Sequence, residues 1–166
     1  SEQVVEYILY MLWDMGLDVG HAVRTVDECI RLCKEDLTIK TSLLEMRYIW
    51  GEETLFKELI AKYDRKIVKG NAPEFTEQKL EERDNRHKRL GDTRYVVEPN
   101  LKEGKGGLRD LHTLFWIAKF IYKVHRVSEV VKKGVFTDEE YKEFQRAEDF
   151  MWAVRFQLHY LAGRPN

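Results

Sequence analysis

Residues 108–125 are apolar on nearly every side of a helix, with Leu111, Leu114, Phe115, Trp116, Ile117, Phe120, Ile121 and Val124 among them. A helix of that composition is stable in water only when other elements surround it. The chain is therefore expected to build a mainly α fold around this segment. The stretch leading into it, Glu98 to Thr113, holds Gly104, Gly106 and Gly107 together with Lys102, Lys105 and Arg109. A glycine-rich turn that opens a helix presents backbone N–H groups at the positive end of the helix dipole. The three cations add full charge at the same place, which is chemistry for holding an anion such as a phosphate. The spacing matches neither the G-x-x-x-x-G-K-[ST] phosphate loop nor the G-x-G-x-x-G dinucleotide turn. A plainer reading stays open: Gly106 and Gly107 make only a tight turn before a buried helix.

The remaining elements follow from periodicity and caps. Val4 to Met15 has a helical rhythm closed by Gly16. Leu17 to Thr25 is short and bounded by glycine, with Val19 and Val23 spaced as on a strand. Thr25 and Glu28 form a capping box that starts a helix to about Lys34. Asp36 caps another helix, expected from Leu37 to Trp50, and Glu52 to Ile67 continues the pattern. Thr76 to Leu90 is rich in charge and is either a solvated helix or the wall of a polar cleft. Tyr95 to Val97 reads as extended, and Val127 to Lys133 as a short helix. A second capping box, Thr137 with Glu140, begins the longest helix. Its stripe of Tyr141, Phe144, Ala147, Met151, Val154, Leu158 and Leu161 is expected in the core.

Bulk properties narrow the function classes. The formal net charge of the 166 residues is −1, so no global field draws the chain to nucleic acid or to an acidic membrane. No apolar run is long enough to span a bilayer, and the first residues lack the basic start of a signal peptide. Cys29 and Cys33 share a helix face. They read as reduced thiols of a cytoplasmic protein rather than as half a metal site, because no second Cys/His pair stands at ligand spacing. The absence of an initiator Met, and a helical pattern running to the last residues, suggest a piece of a longer protein.

Two segments carry a family resemblance: residues 12–25, from Leu12-Trp13-Asp14-Met15-Gly16 to Arg24-Thr25, and the Glu98 to Thr113 motif. Together with the segments Asp36 to Arg47 and Arg86-His87, they resemble the bacterial PII uridylyltransferase/uridylyl-removing enzymes in the right order along nearly the whole chain. The resemblance implies a DNA-polymerase-β-like nucleotidyltransferase domain, then a helical domain, a phosphohydrolase domain and glutamine-sensing domains. It implies transfer of UMP from UTP to a tyrosine of the PII signalling protein, and its removal, in nitrogen regulation. On this reading residues 1–50 end the nucleotidyltransferase domain, as a small α/β remnant, and residues 51–166 begin the helical bundle. The chemistry would use two Mg²⁺ ions held by carboxylates. The family's Gly-Ser turn and Asp-x-Asp pair do not occur in these residues. Asp18, on the expected strand, is the candidate third metal ligand, with Asp14 as the fallback. Arg24 shares the Asp18 face at period two and is the better candidate to reach a triphosphate, while His21, on the other face, is a second nucleotide-binding candidate or a partly buried structural histidine. Lys102, Lys105, Arg109, Gly106 and Gly107 would line a second wall facing nucleotide or PII. The expected piece lacks catalytic turnover by itself. The alternatives are a non-catalytic helical interaction module and a nucleotidyltransferase with another substrate.

Overall fold

A computed structural model describes residues 2–93, 95, 100–124 and 128–162. Eight α-helices run through them: α1 (Glu2–Asp14), α2 (Val26–Glu35), α3 (Leu37–Leu44), α4 (Glu53–Tyr63), α5 (Ala72–Arg89), α6 (Leu108–Tyr122), α7 (Ser128–Lys132) and α8 (Asp138–Ala162). The expectation of a mainly α fold is met.

The local signals set most of the starts. The Thr25 hydroxyl accepts from the Glu28 amide at 3.3 Å, and the Glu28 carboxylate accepts from the Thr25 amide at 2.7 Å. The same reciprocal pair forms between Thr137 and Glu140 at 3.2 and 2.8 Å. Asp36 caps α3 by accepting from the amides of Thr38 and Ile39. Each such cap satisfies donors that a helix start otherwise leaves unpaired.

Packing organises these elements around α6. It lies along α5 and also touches α3 and α8, while α2 packs on α3 and α4. The main core joins Ile30 and Cys33 of α2, Tyr63 of α4, Ile67, Val68, Phe75 of α5 and Phe120 of α6. The rings of Phe75 and Phe120 stack with centroids 4.0 Å apart. One core thus runs across the expected boundary at residue 50. After Tyr63 the chain widens into a π-helical turn, Asp64–Val68, in which the Lys69 amide donates to the Asp64 carbonyl at 3.0 Å. That turn buries both Ile67 and Val68. A smaller cluster holds Ala118, Val124 and Val130 against Phe115, Val135 and Phe136.

Three expectations need correction. Leu17 to Thr25 forms no strand; it is an exposed connection, and among the described residues no strand exists for it to pair with. A strand needs a ladder partner, and alternation of valines cannot supply one. The expected α/β remnant is accordingly absent among the described residues. The helix from Leu37 ends at Leu44: Glu45 leaves helical geometry, with φ −95° and ψ 7°, and its carboxylate pairs with Lys119 at 2.8 Å. The α8 stripe is no core: α8 has no buried residue, Ala147 is exposed, and Leu161 is 84% exposed. Its periodicity records an apolar face, but α6 and α7 cover only part of it. The extended run expected at 95–97 lies largely outside the described residues.

The Phe75–Phe120 stack is the closest aromatic contact across α5 and α6. Phe120→Ala is expected to lower unfolding stability by about 3–5 kcal/mol, the range for deleting a buried aromatic ring. Urea denaturation followed by circular dichroism measures it, and a loss below about 1 kcal/mol would mean the ring is not a core anchor.

Candidate functional site

The glycine-rich segment folds into a chain of turns that begins at Asn100. The Asn100 side-chain oxygen accepts from the amides of Lys102 and Glu103 at 3.0 and 2.8 Å. The Gly104 amide donates to the Asn100 carbonyl, Gly107 to Gly104, Leu108 to Leu101 and Arg109 to Lys102, each at 2.9 Å. Gly106 takes a positive φ of 80°, which favours glycine. A Cβ on Gly107 would stand 2.7 Å from the Leu101 carbonyl oxygen and 2.9 Å from that of Gly104. Most of the amides expected to be free for an anion are therefore engaged within the segment. Compactness of the turn, rather than exposure of its amides, is what requires glycine at 106 and 107.

The segment is fastened to α5 by one carboxylate. Asp110 sits in the first turn of α6 and accepts from the Gly106 amide at 2.7 Å, reaching back over the helix start. It also accepts from Nη2 of Arg86. His87 Nε2 lies 3.0 Å from both Asp110 oxygens. A carboxylate only accepts, so this nitrogen carries the proton. Burial pushes the Asp110 carboxyl up. The Gly106 amide, His87 and Arg86 together more than offset that and hold it below the usual carboxylate range.

Beside this anchor lies a cleft of about 410 Å³ between α3, α5 and α6. Its lining includes Thr38, Thr41 and Ser42 from α3, Glu45, then Lys79, Glu82, Arg86 and Arg89 from α5, and Glu103, Arg109 and Trp116. The charged helix α5 is thus a cleft wall, the second of its two expected roles. Lys79 is only 2% exposed; its amine rests 4.4 Å from the centre of the Trp116 ring and pairs with Glu82 at 2.6 Å. Arg109 donates to Glu103 at 3.3 Å and lies 5.8 Å from the same ring. A larger groove of about 820 Å³ follows the other side of α5, past Pro73, Leu80 and Ile121, with fewer basic groups. The smaller cleft is the better candidate, because its buried charges demand partners.

The sequence-derived candidates do not all meet. Arg109 lines the cleft. Lys102 lies 3.9 Å from Glu103, and Lys105 pairs instead with Asp92 at 2.9 Å. Asp18, His21 and Arg24 lie in the exposed connection before α2, where the His21 ring lies 6.5 Å from that of Trp13. Among the described residues no hydrogen bond or ion pair joins any of these three to the loop at 100–107. Nor does any group of three or more His, Cys, Asp or Glu come together among the described residues as a metal would need. Asp18 offers one carboxylate, which does not make a two-Mg²⁺ centre. Lys79 and Arg86 belong to the charged helix that the sequence offered as a cleft wall, whereas sequence reasoning missed Trp116 as a cleft residue. The seven-residue spacing of Lys79 and Arg86, two helical turns, was a signal that both share a face.

Comparison of the sequence with known proteins points to a family. The sequence pattern of the family described as GlnD PII-uridylyltransferase matches residues 74–166, which include all but the first two residues of α5, the glycine-rich turn and α6. The chain belongs to the PII-uridylyltransferase family. A bifunctional uridylyltransferase/uridylyl-removing enzyme of Azospirillum brasilense is 60% identical over 163 residues, covering 98% of this chain and 18% of that protein. Its counterpart in Bradyrhizobium sp. (strain ORS 278) is 57% identical over 166 residues, covering 100% of this chain and again 18% of the relative. The chain therefore spans about a fifth of the length of these relatives. No solved structure matches it. No helix among the described residues is long and apolar enough to cross a membrane.

The anchor gives a stability prediction. Asp110→Asn removes the close charge partner of the Arg86 guanidinium, 4% exposed, and leaves it only the Glu103 carboxylate at 3.9 Å. Breaking a buried pair costs about 3–5 kcal/mol, and the lower end is expected because the Asp110 side chain keeps 20% exposure. The depressed Asp110 carboxyl contributes stability that is complete above the unfolded value near pH 4. That contribution is lost as pH falls through the lower folded value. Urea unfolding between pH 2 and 6 should therefore show a steeper acid loss in the parent chain than in Asp110→Asn. Parallel curves would remove Asp110 from the acid response.

Proposed function

We propose that this chain is a section of a bifunctional enzyme that transfers UMP from UTP to a tyrosine of the PII signalling protein and removes it again. The observation that carries this reading is 57–60% identity, over essentially all of the chain, to proteins described as uridylyltransferase/uridylyl-removing enzymes. The family description adds PII as the protein acted on. Regulation by glutamine, a role in nitrogen regulation and a cytoplasmic location belong to the same proposal.

In this reading the Mg²⁺ ions of the transfer step are held chiefly by residues outside these 166, with Asp18 at most an outlying contributor. Arg24 and His21 would approach the triphosphate only once the exposed connection between α1 and α2 is packed against further chain. The glycine-rich turn, with Gly106 and Gly107 shaping it, presents Lys102, Lys105 and Arg109 to nucleotide or PII through side chains, since most of its amides are engaged.

Two outcomes are expected. The purified 166-residue protein, given UTP, Mg²⁺ and PII, transfers no UMP, whereas the full-length protein does; transfer by the short chain would refute its proposed dependence on outside ligands. In the full-length enzyme, Lys105→Ala combined with Arg109→Ala weakens the transfer step by roughly 1–3 kcal/mol, the range for charge-assisted hydrogen bonds. Unchanged kinetics would remove these side chains from the site. ATP supplied in place of UTP separates uridylyl from adenylyl transfer.

A further inference from the structure

The acids and bases around the α3–α5–α6 cleft do not balance locally. Glu45 is taken by Lys119 at 2.8 Å, Glu82 by Lys79 at 2.6 Å, and Asp110 by Arg86 and His87. Glu103 is then the one acid left for the remaining cations of the cleft. It lies 3.9 Å from Arg86 Nε, 3.3 Å from Arg109 and 3.9 Å from Lys102, so it is shared loosely among three. Arg86 is buried, and its Nε has no hydrogen-bond partner. Arg89 has no ion pair among the described residues, although it lines the same cleft. A buried guanidinium N–H without an acceptor is costly, and natural proteins keep few of them. Guanidinium groups that converge with too few acceptors suit a tetrahedral oxyanion, which offers several oxygens at once.

We propose that this cleft binds a phosphate-bearing anion between Arg86, Arg89 and Arg109, and that the Glu103 carboxylate competes with it for the same guanidinium groups. Binding swings Glu103 away from Arg86 and Arg109 and supplies the acceptor that Arg86 Nε lacks. The choice of a phosphate over another anion rests on the nucleotide reading above; the site itself rests on the charge arrangement. Trp116 forms an aromatic wall beside the anion and keeps Lys79 over its ring. Glu103 belongs to the glycine-rich segment, so anion binding and the position of that segment are linked.

Isothermal calorimetry on the 166-residue protein, with pyrophosphate and UTP as separate probes, tests this. Pyrophosphate should bind saturably at one site. Arg89→Ala, an exposed position, should weaken it roughly 5- to 20-fold, the loss of one charge-assisted contact. Glu103→Gln, which keeps the shape and removes the competing charge, should tighten it several-fold. Lys57→Ala, in an exposed ion pair on α4, should change nothing. UTP should follow the same order of variants if the phosphates come from a nucleotide; if only pyrophosphate does, the ligand is a free phosphate species. No saturable binding, or parent-like affinity in both Arg89→Ala and Glu103→Gln, overturns the proposal. A protein that binds pyrophosphate in this pattern while the full-length enzyme transfers no UMP keeps the site and loses the transferase reading; the reverse result loses the site alone.

Discussion

The Asp110 carboxylate is the point on which the arrangement depends. It takes the Gly106 amide from the turn and the side chains of Arg86 and His87 from α5, while itself standing on α6. The turn and α6, which follow one another in the chain, are thereby held to α5 more than twenty residues upstream. Without it the start of α6 would keep its apolar packing but lose its fixed angle to α5, and the cleft wall would lose its definition. A short polar cluster, rather than the apolar core, decides where the charged side chains of the cleft stand.

That division of labour explains what the sequence made legible. Helix starts were readable because their determinants lie within four residues: Thr25 with Glu28, Thr137 with Glu140, and Asp36 with the amides that follow it. The central position of α6 was readable from its composition. The ends of helices were less so, since α3 stops at Leu44 partly through a Glu45–Lys119 pair that spans 74 positions. The face of α8 was misjudged as core because periodicity reveals an apolar stripe without revealing what covers it. The supposed strand before α2 failed for the same reason, as extended backbone needs a neighbour that local alternation does not provide.

The candidate site was legible in its ingredients and not in its connections. Glycines and cations before a helix pointed to an anion held by backbone amides. The structure uses those amides to close turns on Asn100, Leu101 and Lys102 carbonyls and on Asp110. What remains able to meet a ligand is a set of side chains, several from α5, whose charge had two equally natural explanations. Only the tertiary pairing of α5 with α6 selects the cleft and brings Arg86, buried and incompletely bonded, beside Glu103 and Arg109.

The widened turn at Asp64–Val68 has a consequence for how this chain tolerates length changes. It absorbs one residue beyond an ordinary helical turn, which shifts by about 100° the point around the helix where the chain leaves it, just before Lys69 becomes extended and Gly70 takes a φ of 83°. A single deletion there would restore regular winding and still fold α4. The same deletion would aim the entry to α5 at a different side of the bundle and carry Phe75 off its partner ring. Insertions and deletions should therefore be far better borne in the exposed connection at 17–25 than in this five-residue turn between α4 and α5.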